Sequence, residues 1–251
     1  AYGVTTVNYN RDIEIFPVLD SIFKGIYGEN PYKSPTDMGV NMVGNCIIDD
    51  EACCEASKQE IIRRYYTCLN QYVQGDASED EVANIELLMQ QAKITTDYRA
   101  VTQAAKARAE KAKVPTAAIE LADGTIITSE TTPLLGTSAA LLLNATKHLA
   151  GIDHKVKLIP KEMIEPIQQM KVNLLSGNNP RLHTDEVLVA LAMLSKDDEN
   201  CKKALEQLAN LKGCQVHTSV MLSEVDRKIF KKLGVDLTCE PVYKKQKPLI
   251  S

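Results

Sequence analysis

Val114-Pro-Thr-Ala-Ala-Ile-Glu-Leu121, with Asp123-Gly124 and Thr125-Ile-Ile-Thr128 after it, is where the chain changes its period. Upstream, apolar residues recur every three or four positions, as an amphipathic helix requires; here the spacing becomes strand-like. Asp-Gly between two short apolar runs is a hairpin signal, because glycine accepts a positive φ and aspartate tolerates one. The chain is therefore expected to hold a helical domain over 1–114, with a polar loop at 29–45, and a three-layer α/β domain with a mixed sheet over 115–251.

Downstream, Thr137 or Ser138 is placed to cap a helix through Leu141, Leu142, Leu143 and Leu149, closed by Gly151. Val156-Lys-Leu-Ile159 reads as a short strand, and Pro166 suits the first turn of another helix. Ser195 and Asp198 box a further helix, Cys214 to Thr218 reads as a strand, Ser223 and Asp226 box a helix, and Val235 to Cys239 returns as a strand. The predicted order is ββαβαβαβ, which places the chain in the α+β or α/β class and resembles the cytidine deaminase-like fold.

Upstream, Asn10 can cap a helix through Ile13, Phe16, Leu19, Ile22, Phe23 and Ile26, ending at Gly28. Pro17 lies too deep for its first turn, so a kink or a later start is expected. Asp49 or Asp50 caps a long helix carrying Ile61, Ile62, Tyr65 and Leu69, Ser78 with Glu81 forms a capping box, and Asp97 opens a helix through Ala104, Ala105 and Ala112.

A net charge of −4, with 33 acidic and 29 basic residues mixed along 251, gives no sign of a nucleic-acid or membrane partner. Absence of a bilayer-length apolar run and an odd count of seven cysteines fit a cytoplasmic protein with reduced thiols. The start at Ala1, in mid-pattern and without Met, reads as a fragment of something longer.

The polar clusters lie in loops. Gly177-Asn-Asn-Pro-Arg-Leu-His-Thr184 leads into an apolar helix with Val187, Leu188, Leu191 and Leu194 at helical spacing. Thr184 is the natural N-cap, and Asn179, Arg181 and His183 stand at the positive end of that helix, where an anion would be stabilised. Lys33, Ser34, Thr36, Asp37 and Asn41 concentrate an ammonium, two hydroxyls, a carboxylate and an amide in one loop, and Gly39 lets a ligand approach the backbone. Their alternative reading is a surface turn that satisfies its own backbone.

Metal ligation has weak support: His183 with Glu186 and Cys214 with His217 lack a second cysteine pair at zinc spacing, so no metal site is expected. The deaminase motifs are likewise missing from the sequence. Cys214 and His217 should point to opposite faces of a strand, which separates thiol from imidazole.

Ser34-Pro-Thr-Asp-Met-Gly-Val-Asn-Met42, Glu55 to Tyr66, Asn179 to Leu188 and Glu240-Pro-Val-Tyr243 resemble the bacterial family known as domain of unknown function eighteen-forty-six. The likeness runs from about Tyr2 to Tyr243 and implies the C-terminal half of a longer protein. It implies nucleotide use only through a Ser-Gly-Lys-containing stretch in the other half, so no cofactor is expected in this one.

The expected function is one wall of a cleft for a small phosphorylated or carboxylated molecule. Arg181 and Lys33 would hold the anion, with Ser34, Thr36, Asn41, Asn179 and His217 lining the site and His183 with Asp37 moving protons. The other half and further copies of the chain are the expected protein partners. The alternatives are a non-catalytic assembly or regulatory module and a degenerate deaminase-like enzyme.

Overall fold

The computed structural model describes residues 10–35, 37–38 and 49–243. Two compact units divide after Arg99.

The first unit is helical. α1 (Asn10–Tyr27) begins at Asn10 and carries Pro17 inside it, so the later start is corrected. α2 (Asp50–Gln74) is capped by Asp49, whose carboxylate accepts from the Ala52 N–H, and ends at Gly75 in the left-handed region. α3 (Glu79–Gln91) opens with the Ser78–Glu81 capping box, formed in both directions. Ile61, Ile62 and Tyr66 of α2 pack with Met89 and Ile94 into this unit's core. Asp97 lies within a short 3-10 turn (Thr96–Tyr98) and not at the cap of the next helix, which begins only at Ala100.

The second unit begins with that helix, α4 (Ala100–Ala112), because its buried Val101 and Ala105 pack on Ala118 of the sheet. The Thr116 hydroxyl donates to the Ala105 carbonyl at 2.7 Å and ties α4 to the first strand. β1 (Thr116–Glu120) and β2 (Ile126–Glu130) form the hairpin, turning at Gly124 with φ of 80°. Then follow α5 (Thr137–Leu149), α6 (Lys161–Gln169) with a π turn over Met170–Leu174, α7 (Thr184–Leu194), and α8 (Glu199–Glu206) with a 3-10 turn over Gln207–Leu211. β3 (Gln215–Thr218), α9 (Glu224–Lys232) and β4 (Asp236–Cys239) complete it.

The sheet is mixed, in the order β2-β1-β3-β4. β1 runs antiparallel to both neighbours, pairing Ala117 with Ser129 and with Thr218, and β3 runs parallel to β4. Side chains alternate along β1 as a strand must: Ala117 and Ile119 join Leu141 and Leu142 of α5 and Phe230 of α9, whereas Ala118 meets α4. A second cluster, with Leu158, Ile159, Leu182, Val187 and Leu191, packs α5, α7 and α8 together.

Several expectations are corrected by contacts distant in sequence. Val156 to Ile159 is not a strand: it is an irregular segment that buries Leu158 and Ile159 and has carbonyls met by side chains, Cys201 Sγ on Leu158 and Lys147 Nζ on Val156. Without that strand the order becomes ββααααβαβ from the hairpin onward. Pro166 sits inside α6, which starts after Pro160. Gly136, rather than Thr137 or Ser138, is the residue before α5. Ser195 closes α7, and Asp198 alone caps α8 by accepting from Asn200 and Cys201.

Leu141 is fully buried between α5 and the sheet. Leu141→Ala is expected to lower stability by about 2–5 kcal/mol through lost transfer energy and the cavity left behind. Urea unfolding should show a lower midpoint at unchanged slope; an unchanged midpoint would remove Leu141 from the core.

Candidate functional site

The loop before α7 is held on the segment after β2. Leu182 forms a parallel bridge with Leu135, its N–H donating to Leu134 and its carbonyl accepting from Gly136. A Cβ on Gly136 would stand 3.4 Å from that carbonyl, an ordinary contact distance. Arg181 Nε donates to the Thr132 carbonyl at 2.8 Å, and Lys171 Nζ donates to the Arg181 carbonyl. Both ends of the Arg181 residue are thereby fixed, and no further bond of its guanidinium is recorded among the described residues.

The cap of α7 differs from the expectation. His183, not Thr184, is the N-cap residue, and the Glu186 carboxylate accepts from the His183 N–H at 2.7 Å while pairing with Lys171. Thr184 is the first helical residue, fully buried, and its N–H and hydroxyl both donate to Asp226 Oδ1 at 3.0 Å. Asp226 lies in the first turn of α9, where its N–H donates to the hydroxyl of the N-cap Ser223. The first turns of α7 and α9 therefore converge on one carboxylate.

Asp226 Oδ2 takes the Ser223 hydroxyl at 2.8 Å and faces His183 Nδ1 at 3.1 Å. A carboxylate only accepts, so Nδ1 carries the proton and Nε2 keeps a lone pair in the neutral ring. Asn179 completes the assignment: its Oδ1 accepts from the Arg181 N–H, which turns its amide Nδ2 toward His183 Nε2 at 3.2 Å. Asp226 is only 4% exposed, whereas His183 is half-buried. Burial alone would raise the Asp226 carboxyl, but hydrogen bonds from His183, Thr184 and Ser223 outweigh it and hold the group below the usual aspartate value.

The other expected site residues are placed as follows. His217 is fully buried in β3, with Nδ1 at 2.9 Å from the Thr238 hydroxyl and Nε2 at 3.1 Å from Glu240, which also pairs with Lys106. Cys214 precedes β3, and burial pushes its thiol up, away from the reactive thiolate. Ser219, just after β3, accepts from the Thr116 N–H of the neighbouring β1. In the first unit, Asp37 is buried and accepts from the Lys33 N–H at 2.7 Å, while its own N–H donates to Ser34 Oγ. Lys33 and Ser34 also line a pocket of 780 Å³ with Phe16, Tyr32, Lys58 and Ile61. Thr36, Gly39 and Asn41 lie outside the described residues.

Sequence reasoning had no way to join His183 to Asp226. The Ser223-x-x-Asp226 box was legible, but only the fold brings it to a histidine forty-three residues earlier. Among the described residues, no group of three or more His, Cys, Asp and Glu side chains is placed to hold a metal ion, and no helix is long and apolar enough to cross a membrane.

Residues 97–248 match the family model described as domain of unknown function DUF1846, C-terminal, and residues 1–93 match its N-terminal counterpart. The second match corrects the expectation that the chain represents a C-terminal half alone. Over 243 residues the chain is 51% identical to a UPF0371 protein of Corynebacterium urealyticum, covering 97% of this chain and 49% of the relative. A UPF0371 protein of Corynebacterium diphtheriae is 51% identical over 98% of the chain and 50% of its own length. One from Streptococcus pyogenes serotype M5 is 49% identical with the same coverage. The chain spans about half the length of the curated relatives it matches.

Because the folded Asp226 carboxyl sits below its unfolded value, its bonds stabilise the fold at pH above the usual aspartate range. That contribution is lost as pH falls through the folded value. Asp226→Asn is expected to destabilise by about 1–3 kcal/mol at pH 7. Urea melts from pH 7 downward should show the wild-type and variant midpoints converging in acid; a constant gap would deny the carboxylate its electrostatic part.

Proposed function

The chain belongs to the DUF1846 family, described only as of unknown function, and from that premise we propose that its second unit binds a small phosphorylated or carboxylated molecule beside the first turn of α7, with His183 as general base. One observation carries the reading: a buried carboxylate, Asp226, fixes Nδ1–H of a half-buried imidazole and leaves Nε2 as the proton acceptor. That is the division of labour by which a carboxylate orients a catalytic histidine and stabilises the imidazolium formed when it takes a proton.

Arg181 supplies the complementary charge. Its Nε is tied to Thr132, so the terminal nitrogens of a rigidly placed guanidinium are left for an anionic group. Asn179 stands on Nε2 and would give way to the substrate proton donor. The proton then moves from substrate to Nε2, and Asp226 keeps its charge throughout. In this reading the partner of His183 is Asp226 rather than Asp37. Lys33 and Ser34 are reserved for a ligand of the first unit's pocket.

The sheet order, with β1 antiparallel to both neighbours, supports kinship with the deaminase-like fold, although the strand expected at 156–159 is missing. Mixed charge along the chain and six cysteines outside any disulfide among the described residues support a cytoplasmic setting. This reading assigns no nucleotide to the residues of this chain, which spans about half the length of its relatives.

A thermal-shift screen with inorganic phosphate, phosphorylated metabolites and carboxylates tests the site. A ligand at a hundredfold its dissociation constant should stabilise by about 2.7 kcal/mol. The shift is expected to vanish in Arg181→Ala and to persist in Lys33→Ala. A shift that survives Arg181→Ala, or the absence of any shift, would contradict the assignment.

A further inference from the structure

α6 and α7 present matched rows to one another. Positions 162, 163, 166, 167 and 170 of the first helical segment and 185, 186, 189, 190 and 193 of the second share the same spacing and line a groove of 520 Å³. Its apolar floor is Met163, Ile167 and Met170 on one wall and Val189 and Met193 on the other. Ile167 also packs against the core, but Val189 and Met193 are each 61% exposed, and beyond the groove Leu174 of the π turn is 78% exposed. Burying such side chains in a partner removes apolar surface from water, and methionine adapts to whatever shape it meets.

Every charged side chain lining the groove is acidic: Glu162, Asp185 and Glu186. Lys171 neutralises Glu186, and no cation is recorded at ion-pair distance from Glu162 or Asp185 among the described residues. We propose that this groove docks a basic amphipathic helix of a partner protein. Met163, Ile167 and Met170 at i, i+4 and i+7 of one wall and Val189 and Met193 one turn apart on the other offer a trough about 10 Å long, matching two turns of a third helix laid between them. The charge decides among occupants. A symmetric second copy would set the same acidic residues against each other, and an anionic lipid surface would be repelled. Lysines or arginines flanking an apolar stripe would complete Glu162 and Asp185. The groove lies on the α7 face that carries Glu186, and the inference does not depend on the anion site.

The probe is a synthetic helical peptide with leucine on one face and lysine on the other, compared with its lysine-to-glutamate counterpart by fluorescence anisotropy. The basic peptide is expected to bind this chain at least about tenfold more tightly than the acidic one. Added salt should narrow that gap. Met193→Glu should weaken binding of the basic peptide about tenfold. It should leave the melting temperature unchanged, since Met193 is largely exposed. Glu162→Lys should shrink the preference between the two peptides. Equal binding of both peptides, no binding of either, or full binding by Met193→Glu would overturn the proposal. So would sedimentation showing a dimer that Met193→Glu dissolves, which would give the face to a second copy.

Discussion

One buried carboxylate organises the second unit. Asp226 is almost fully removed from water, which is costly for a charge unless its acceptor sites are filled. Here they are filled by the Thr184 N–H and hydroxyl, the Ser223 hydroxyl and the His183 ring. The two helix starts it joins both offer unpaired N–H groups and positive dipole ends, so the charge and the helices stabilise one another. The position of α7 relative to α9, and the conformation of the loop before it, follow from that junction.

From the opposite side, the same loop is fixed by backbone bonding of Leu182 to Leu134 and Gly136 and by the Leu182 side chain in the core. Asn179 to His183 are held by these two anchors together with the Arg181–Thr132 bond. Arg181 Nε bonds to Thr132 and His183 Nδ1 to Asp226, which orients two guanidinium nitrogens and an imidazole Nε2 that faces the Asn179 amide. In the proposed site, structural bonds use up some of the loop's hydrogen-bonding groups and aim the rest.

What was legible in the sequence divides by distance along the chain. The Asp123-Gly124 hairpin, the Ser78–Glu81 box, the Asp49 cap and the Ser223–Asp226 turn all depend on bonds between residues at most four apart. Each could be read from spacing and side-chain chemistry. Thr184 has the chemistry of a cap, but its hydroxyl goes to Asp226, and Val156 to Ile159 has the look of a strand, but Cys201 and Lys147 satisfy two of its carbonyls. Four residues, with an exposed lysine among them, carry no periodicity that separates strand from irregular chain. The candidate site shows the same split, with Asn179, Arg181 and His183 visible as a cluster and their carboxylate invisible.

The central claim is that Asp226 holds His183 in the Nδ1–H form, and long-range proton–nitrogen NMR correlation of the imidazole above its titration range reads this directly. The geometry predicts Nδ1–H for His183 in the wild type, with the population moving toward Nε2–H when Asp226 is replaced by Asn. A wild-type ring found predominantly as Nε2–H, or one unaltered by the substitution, would contradict the account and return His183 to the status of a simple helix-start residue.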